Sequence, residues 1–122
     1  GRVEGQKQTG DDDRTPEGEY QVVVKNPKSK YYLSLGLGYP NPNDAERGFK
    51  NGVINKEDYK KIIKAHKTDM YIPWDTGLGG EIYIHGGLEN GKAYTNGCIK
   101  ISDINIKKLY DKVKVGTDVV IE

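Results

Sequence analysis

The sequence contains few of the side chains that most often carry out chemistry. Its 122 residues include one cysteine and two histidines. A lone cysteine cannot close an internal disulfide, so Cys98 is retained either for packing or for reactivity. Apolar runs are also short, and none approaches the roughly 18 residues that a membrane-spanning helix needs. These absences exclude a disulfide-stapled fold and direct attention to the thiol and the two imidazoles.

The sequence also lacks an excess of positive or negative charge. The formal net charge is +1 although 30% of the residues are charged. Nucleic-acid binders usually show a broad positive surface, so we expect no nucleic-acid partner. With 34% hydrophobic residues, a chain of this length fits one domain with a modest core, and we interpret residues 1–122 as a single domain.

Local patterns predict a mixture of strands and two helices. β-Branched and alternating residues predict strands over residues 18–25, 31–35, 81–85 and 118–121. Residues 36–44 are rich in Gly, Pro and Asn and predict a long loop. Asn55 is a candidate N-cap for a helix through residue 67, and Ser102 for a helix over 103–113. The run DDD at residues 11–13 predicts a solvated acidic turn.

Cys98 lies in the hexapeptide TNGCIK (residues 95–100), shortly after IHGG (residues 84–87). A cysteine in an isoleucine-rich stretch is more often a core residue than a nucleophile, but the glycine-rich context here favours the nucleophile. A nearby imidazolium lowers a thiol pKa and activates it. His85 ends a predicted strand beside a Gly-Gly turn, whereas His66 lies on a predicted helix surface. We therefore interpret His85 as the base.

These motifs resemble the L,D-transpeptidases of the YkuD type, which are bacterial cell-wall enzymes. The family signature is His-Gly followed by Ser/Thr-His-Gly-Cys and a basic residue. The resemblance extends to GDDDRTPEGEY (residues 10–20), SLG (34–36), YPN (39–41) and GTDVVI (116–121), similar to the family's murein-peptide YafK-like branch. Two positions depart from the signature: Asn96 stands where many members have a second histidine, and Lys100 stands where an arginine is common.

The resemblance implies a fold that is mainly β with two helices, an α+β domain with a sandwich-like arrangement. An N-terminal hairpin precedes this region in the family, so we expect an N-terminally trimmed catalytic domain. The family's location implies export to the bacterial periplasm or envelope. It also implies peptidoglycan stem peptides as partners, with a wall-anchored protein as a further acceptor or substrate, and a monomer that requires no cofactor and no metal.

The site that the resemblance implies centres on a thioester at Cys98. His85 would take the thiol proton, the carbonyl of Gly86 would orient its ring, and amides near Gly97 would hold the oxyanion. The candidate substrate contacts are Thr95, Asn96, Lys100, Tyr83 and Arg14. For Tyr83 and Arg14, an ordinary strand tyrosine and an ordinary surface arginine are equally good interpretations.

Three functions stay open on the sequence alone. The thioester could pass to an amine, which makes a transpeptidase, or to water, which makes an L,D-carboxypeptidase or a peptidase. The third alternative is a catalytically silent wall-binding module, which Asn96 and the short gap between the histidine and the cysteine allow. A lowered thiol pKa would argue against the silent module.

Overall fold

A computed structural model describes residues 5–29, 32–68, 71–87 and 97–122. The predicted substrate contacts Thr95 and Asn96 lie outside these residues. Within them the chain forms five strands and three helices, in the following order: β1 Gly18–Ser29, β2 Tyr32–Leu37, α1 Pro42–Lys50, α2 Lys56–Lys67, β3 Tyr83–His85, β4 Ile99–Lys100, α3 Asp103–Lys112 and β5 Asp118–Ile121. The α+β class predicted from the sequence is confirmed.

The described strands form one mixed sheet in the order β4-β3-β2-β1-β5. Strand β1 pairs antiparallel with both β2 and β5, and β2 pairs antiparallel with β3. Only β3 and β4 run parallel, with Ile84 opposite Ile99 and His85 opposite Lys100. The two ends of the sheet order therefore lie at β4 and β5, and the thiol-bearing segment enters at the first of these edges.

Capping residues explain where the helices begin. Asn55 accepts a hydrogen bond from the Asp58 amide, and Ser102 accepts one from the Asn105 amide, as both N-cap predictions require. Helix α1 was not predicted, because its Gly, Pro and Asn content is typical of a loop. It begins at a capping box in which Asn41 and Asp44 bond each other's backbone amides. The predicted loop thus ends at a helix start.

The core is formed by one side of the sheet together with residues from each helix. The residues of the main buried cluster are Tyr20, Val22, Leu33, Leu35, Leu37, Tyr39, Ala45, Ile54, Ile62, Leu78, Ile82, Ile84 and Ile106. Helix α3 is fastened to the sheet by Lys25, whose ammonium donates to the carbonyls of Tyr110 and Val113. Leu109 of α3 is 38% exposed, whereas Ile106 of the same helix is fully buried in the core.

Alternation along β2 and β3 separates this core from a second face of the sheet. Leu35 and Ile84 are register partners and both belong to the core. The next residues along β3 point to the opposite side, since side chains alternate along a strand. Tyr83 and His85 therefore share the other face, where their register partners on β2 are Gly36 and Ser34. That face carries Tyr83 and His85, two of the residues predicted to be functional.

Candidate active site

Cys98 and His85 are brought to the same face of neighbouring strands. Cys98 immediately precedes β4, and extending the observed register by one residue places it opposite Tyr83. Residues opposite each other in a sheet point to the same side, so Cys98 and Lys100 share the face of Tyr83 and His85. The two side chains that we interpreted as nucleophile and base therefore lie on one face of the sheet at its β4 edge.

His85 is held in one tautomer by its own chain. The side chain is 4% exposed, and Nδ1 lies 2.7 Å from the carbonyl oxygen of Gly86. A carbonyl can only accept, so Nδ1 donates and carries a proton. In the neutral ring Nε2 is then the basic nitrogen, which is the state that a general base needs.

The backbone around His85 is fixed by three partners. The His85 carbonyl accepts from the amide of Ile101 at 2.9 Å, and the Gly86 amide donates to the carbonyl of Leu33 at 3.2 Å. The Gly87 amide donates to the Asp103 carboxylate at the start of α3, at 2.7 Å. These bonds fix the Gly-Gly turn, and with it the carbonyl that orients the imidazole.

The thiol of Cys98 is protonated in this arrangement. Its Sγ donates to the carbonyl oxygen of Glu81 at 3.3 Å. Burial raises the pKa of the Cys98 thiol and the nearby Glu81 charge adds to the rise, while the Tyr83 backbone amide and the Lys7 charge oppose it. The lowered thiol pKa expected of an activated nucleophile is therefore absent. The physical reason is desolvation beside a backbone acceptor, which favours the neutral form.

Gly97 occupies a position that only glycine fits. Its φ is +128°, and a Cβ added there would lie 2.9 Å from the backbone oxygen of Arg14 and 3.2 Å from Cδ1 of Ile82. The backbone at Gly97, just before β4, therefore lies in close contact with the backbone of Arg14. The predicted substrate contact Arg14 does lie at this edge, through its backbone, and its buried Nε has no hydrogen-bond partner within the described residues.

Tyr83 forms an aromatic pair that the sequence analysis did not anticipate. Its ring meets that of Trp74, the only tryptophan of the chain, edge to face with centroids 5.9 Å apart. The indole Nε1 is buried and without a hydrogen-bond partner in the part of the chain that the structure describes. A single tryptophan before a Gly-Gly pair was the available signal, but its sequence separation from Tyr83 concealed the contact.

His66 lies elsewhere, on α2. It is half-buried, and Nε2 donates to the carbonyl of Pro40 at 2.7 Å. The bond ties α2 to the segment before α1. The interpretation of His66 as a residue outside the site agrees with this placement, although the side chain has a tethering contact that a plain surface histidine would lack.

The described residues contain neither a cluster of metal ligands nor a membrane-spanning helix. Across residues 5–29, 32–68, 71–87 and 97–122, no three His, Cys, Asp or Glu side chains are grouped so that they could hold a metal ion. No helix in these same ranges has the length and apolar character that crossing a membrane requires.

The chain matches one protein family and is similar to solved structures. The family profile of the YkuD L,D-transpeptidase catalytic domain matches residues 1–121. Two solved structures of the helical cell shape determining protein Pgp2 from Campylobacter jejuni, a point mutant and a second structure, are similar to the chain. They match with TM-scores of 0.64 and 0.61, each at 25% identity and over 98% of this chain. No curated protein sequence matches.

The chain spans about a third of those structures, 34% of one and 35% of the other. The similarity therefore concerns one region of a longer protein. The family profile, in contrast, extends over almost every residue here and includes both Cys98 and His85. This chain belongs to the YkuD family of L,D-transpeptidase catalytic domains.

Proposed function

We propose that the chain catalyses cysteine-dependent acyl transfer on peptidoglycan stem peptides, through a thioester on Cys98. The observation that carries the proposal is the tautomer of His85, whose Nδ1 donates to the Gly86 carbonyl on the same sheet face as Cys98. This tautomer makes Nε2 the basic nitrogen, and His85 shares the sheet face of the Cys98 thiol, which is the combination that a general base requires. Membership of the family supplies the substrate class.

The first half of the reaction forms the thioester. Sγ of Cys98 attacks the carbonyl carbon of a stem-peptide amide as its proton passes to Nε2 of His85. The oxyanion forms beside the backbone amides of Gly97 and Cys98, which are the donors we propose. The carbon–nitrogen bond then breaks, and Nε2 returns the proton to the leaving amine.

The second half resolves the thioester. An acceptor amine or a water molecule attacks the same carbon, its proton passes to Nε2, and the carbon–sulfur bond breaks. The proton then returns to Sγ, which restores the resting thiol. An amine acceptor gives a cross-link or attachment to a wall-anchored protein, whereas water gives a carboxypeptidase or peptidase; transpeptidation is our primary proposal.

The raised thiol pKa decides how the nucleophile is activated. A thiol that is neutral at rest and bonded to a carbonyl does not form a preorganised thiolate–imidazolium pair. Deprotonation therefore accompanies attack, after substrate has displaced the Glu81 contact. Taken alone, the raised pKa favours the silent wall-binding module, since slow thiol chemistry is what such a module would show. The fixed base argues for the enzyme.

Substrate contacts follow from groups around the thiol. Arg14 and Lys100 supply positive charge for stem-peptide carboxylates, and Arg14 Nε lacks a hydrogen-bond partner among the described residues. Tyr83 and Trp74 offer an aromatic wall with an indole donor suited to a peptide carbonyl. Thr95 and Asn96 complete the predicted set on family resemblance. We propose these groups as the cleft for a peptide that is acidic at its end.

Product analysis tests the proposal. The protein and its Cys98→Ala variant are incubated with tetrapeptide-bearing wall fragments, and the products are separated by mass. We expect products with the wild type and none with the variant; dimers indicate transpeptidation and shortened monomers indicate hydrolysis. A folded wild-type protein that leaves the fragments unchanged, yet sediments with them, would instead establish the binding module.

A further inference from the structure

The loop of residues 7–14 touches both chain segments that surround the thiol. At one end, the backbone oxygen of Arg14 packs against Gly97, the residue before Cys98. In its middle, the amide of Gly10 donates to the carbonyl of Gly77 at 2.9 Å. A Cβ placed on Gly79 would lie 2.6 Å from the Gly10 Cα, so the two backbones are in close contact.

The second of these segments leads directly to the acceptor of the thiol hydrogen bond. Gly79 is followed by Gly80 and then by Glu81, whose carbonyl accepts from Sγ of Cys98 at 3.3 Å. Glu81 has a φ of +55°, an uncommon conformation for a residue with a side chain. The loop thus braces both the strand entry that carries the sulfur and the strained segment that faces it.

One carboxylate organises this loop. Oδ2 of Asp12 accepts from the backbone amides of Gln8 and Thr9, at 2.7 and 3.0 Å. Its Oδ1 accepts from the amide of Arg14 and from the ammonium of Lys7, both at 3.0 Å. Four donors therefore converge on one side chain. The predicted solvated acidic turn is wrong at Asp12, because the fold brings a buried lysine against it.

The far side of the loop is anchored to α1. Lys7 is 1% exposed, so its ion pair with Asp12 is shielded from water. Arg47 of α1 donates from Nε to the side chain of Gln8 at 3.2 Å and from Nη2 to the Lys7 carbonyl at 3.4 Å. The loop is held between the helix and the Cys98 edge, with Asp12 at its centre.

We propose that Asp12 is a positioning residue of the Cys98 site, acting through Arg14 on Gly97 and through Gly10 on the segment that ends at Glu81. The proposal rests on the proposed function for the identity of the reaction that Asp12 affects. The structural coupling between Asp12 and the Cys98 site does not depend on that function. A carboxylate suits this role because it only accepts hydrogen bonds. An amide at the same position would turn an NH2 group toward at least one of the four donors.

The test compares Asp12→Asn with Asp11→Asn, a matched change at the neighbouring carboxylate, which bonds only the Thr9 hydroxyl among the contacts described. Folding is followed by near-ultraviolet circular dichroism at the assay temperature. The first readout is the pH profile of Cys98 alkylation by iodoacetamide, and the second is kcat against KM on tetrapeptide-bearing wall fragments.

For Asp12→Asn we expect the midpoint of the alkylation profile to move to lower pH, because a released loop lets more water reach the half-buried thiol. We expect kcat to fall roughly tenfold or more with little change in KM, since a misplaced nucleophile still binds substrate. Asp11→Asn should leave the midpoint, kcat and KM unchanged. A merely structural role for Asp12 would lower thermal stability while leaving the midpoint of the folded protein in place.

A folded Asp12→Asn protein with the wild-type midpoint overturns the proposal. If this variant does not fold, the pair Lys7→Met with Asp12→Asn replaces it, because that pair leaves no unpaired buried ammonium; the same expectations and the same overturning result apply. If Asp12→Asn shifts the alkylation midpoint but the wild type turns over no wall fragments, the coupling is supported and only the proposed function fails.

Discussion

The two edges of the sheet contain similar parts with different uses. At the β4 edge His85 bonds the Gly86 carbonyl, and toward the β5 edge His66 bonds the Pro40 carbonyl, each at 2.7 Å. A glycine with positive φ precedes each edge strand, Gly97 before β4 and Gly116 before β5. The β5 side even has a cavity of about 260 Å³, which His66 and Asp118 help to line.

The two edges differ in which ring nitrogen of the histidine the carbonyl engages. His85 donates from Nδ1 and keeps Nε2 as its basic nitrogen, on the face shared with a thiol. His66 donates from Nε2, and the residues around its cavity include carboxylates such as Glu19 and Asp118 but no thiol. Neither a cavity nor a bonded histidine identifies an active site by itself. We propose the β4 edge because a thiol and a histidine with a basic Nε2 share one face of the sheet there.

The largest expected effect sharpens this contrast between the histidines. We predict that His85→Gln lowers kcat on wall fragments by about 10²- to 10⁴-fold, the usual contribution of a general base. His66→Gln should keep nearly full activity, because an amide can still donate to the Pro40 carbonyl. Steady-state product formation with both variants checks this. Equal losses for the two would break the comparison.

The paired glycines give the next largest effect. Alanine at either position carries backbone strain of about 1–3 kcal/mol, because both residues have positive φ. Only at Gly97 would the new Cβ also meet a neighbour, the Arg14 backbone; at Gly116 nothing lies within 4 Å. We therefore predict that Gly97→Ala lowers kcat roughly 100-fold by displacing the strand entry, while Gly116→Ala lowers only stability. Denaturant unfolding measures the loss of stability in each variant, and steady-state turnover measures the loss of kcat.

A smaller effect concerns how the free energy of unfolding falls at acid pH. Burial alone would raise the pKa of the Asp12 carboxyl, but three backbone amides and the Lys7 ammonium outweigh it and lower the pKa from 3.8 to about 2. A lowered pKa gives stability that is present above the ordinary value and lost as the pH falls toward 2. The shift corresponds to about 2 kcal/mol.

Asp12→Asn should therefore reduce the free energy of unfolding at neutral pH by up to about 2 kcal/mol and flatten its dependence on pH between pH 4 and 2. Asp11→Asn is again the control. Urea unfolding at a series of pH values measures how the free energy of unfolding of each variant depends on pH. If Asp12→Asn loses stability between pH 4 and 2 as steeply as the wild type, the low pKa does not belong to this carboxyl.

The smallest expected effect lies at alkaline pH. Burial raises the pKa of Cys98, so the folded protein holds this proton after the unfolded chain has lost it. The corresponding stability is complete below the ordinary thiol pKa and disappears as the pH rises through the folded value. Cys98→Ser, which does not ionise in this range, should show a shallower alkaline loss than the wild type. Parallel curves for the two proteins would mean that the thiol is not desolvated.

Features with local causes were predictable from the sequence. The caps Asn55 and Ser102 act within one helical turn, and both predicted helix starts agree with the structure. Helix α1 was missed although Asn41, Pro42 and Asp44 form a capping box with proline in the first turn. The local signal existed there, but the surrounding Gly and Asn content outweighed it.

Features that depend on distant contacts were not predictable. Strand β4 has two residues and exists only because β3 pairs with it. The Lys7–Asp12 pair needs α1 and the Cys98 edge to bury it, so a run of three aspartates gave no indication of which carboxylate would be enclosed. The rise in thiol pKa likewise follows from burial beside the Glu81 carbonyl. Cys98 and His85 became candidates through their glycine-rich context and the family resemblance, whereas their environments came from the fold.

Intact-mass analysis of the acyl-enzyme tests the central claim most directly. The wild type, Cys98→Ala and His85→Gln are mixed briefly with tetrapeptide-bearing wall fragments and quenched in acid. The account predicts a mass increase on wild-type protein equal to the wall fragment minus its released terminal amino acid. Hydroxylamine should release this adduct as it does a thioester, and the adduct should be absent from Cys98→Ala. An adduct that persists in Cys98→Ala, or turnover by the wild type without Cys98 dependence, would contradict it.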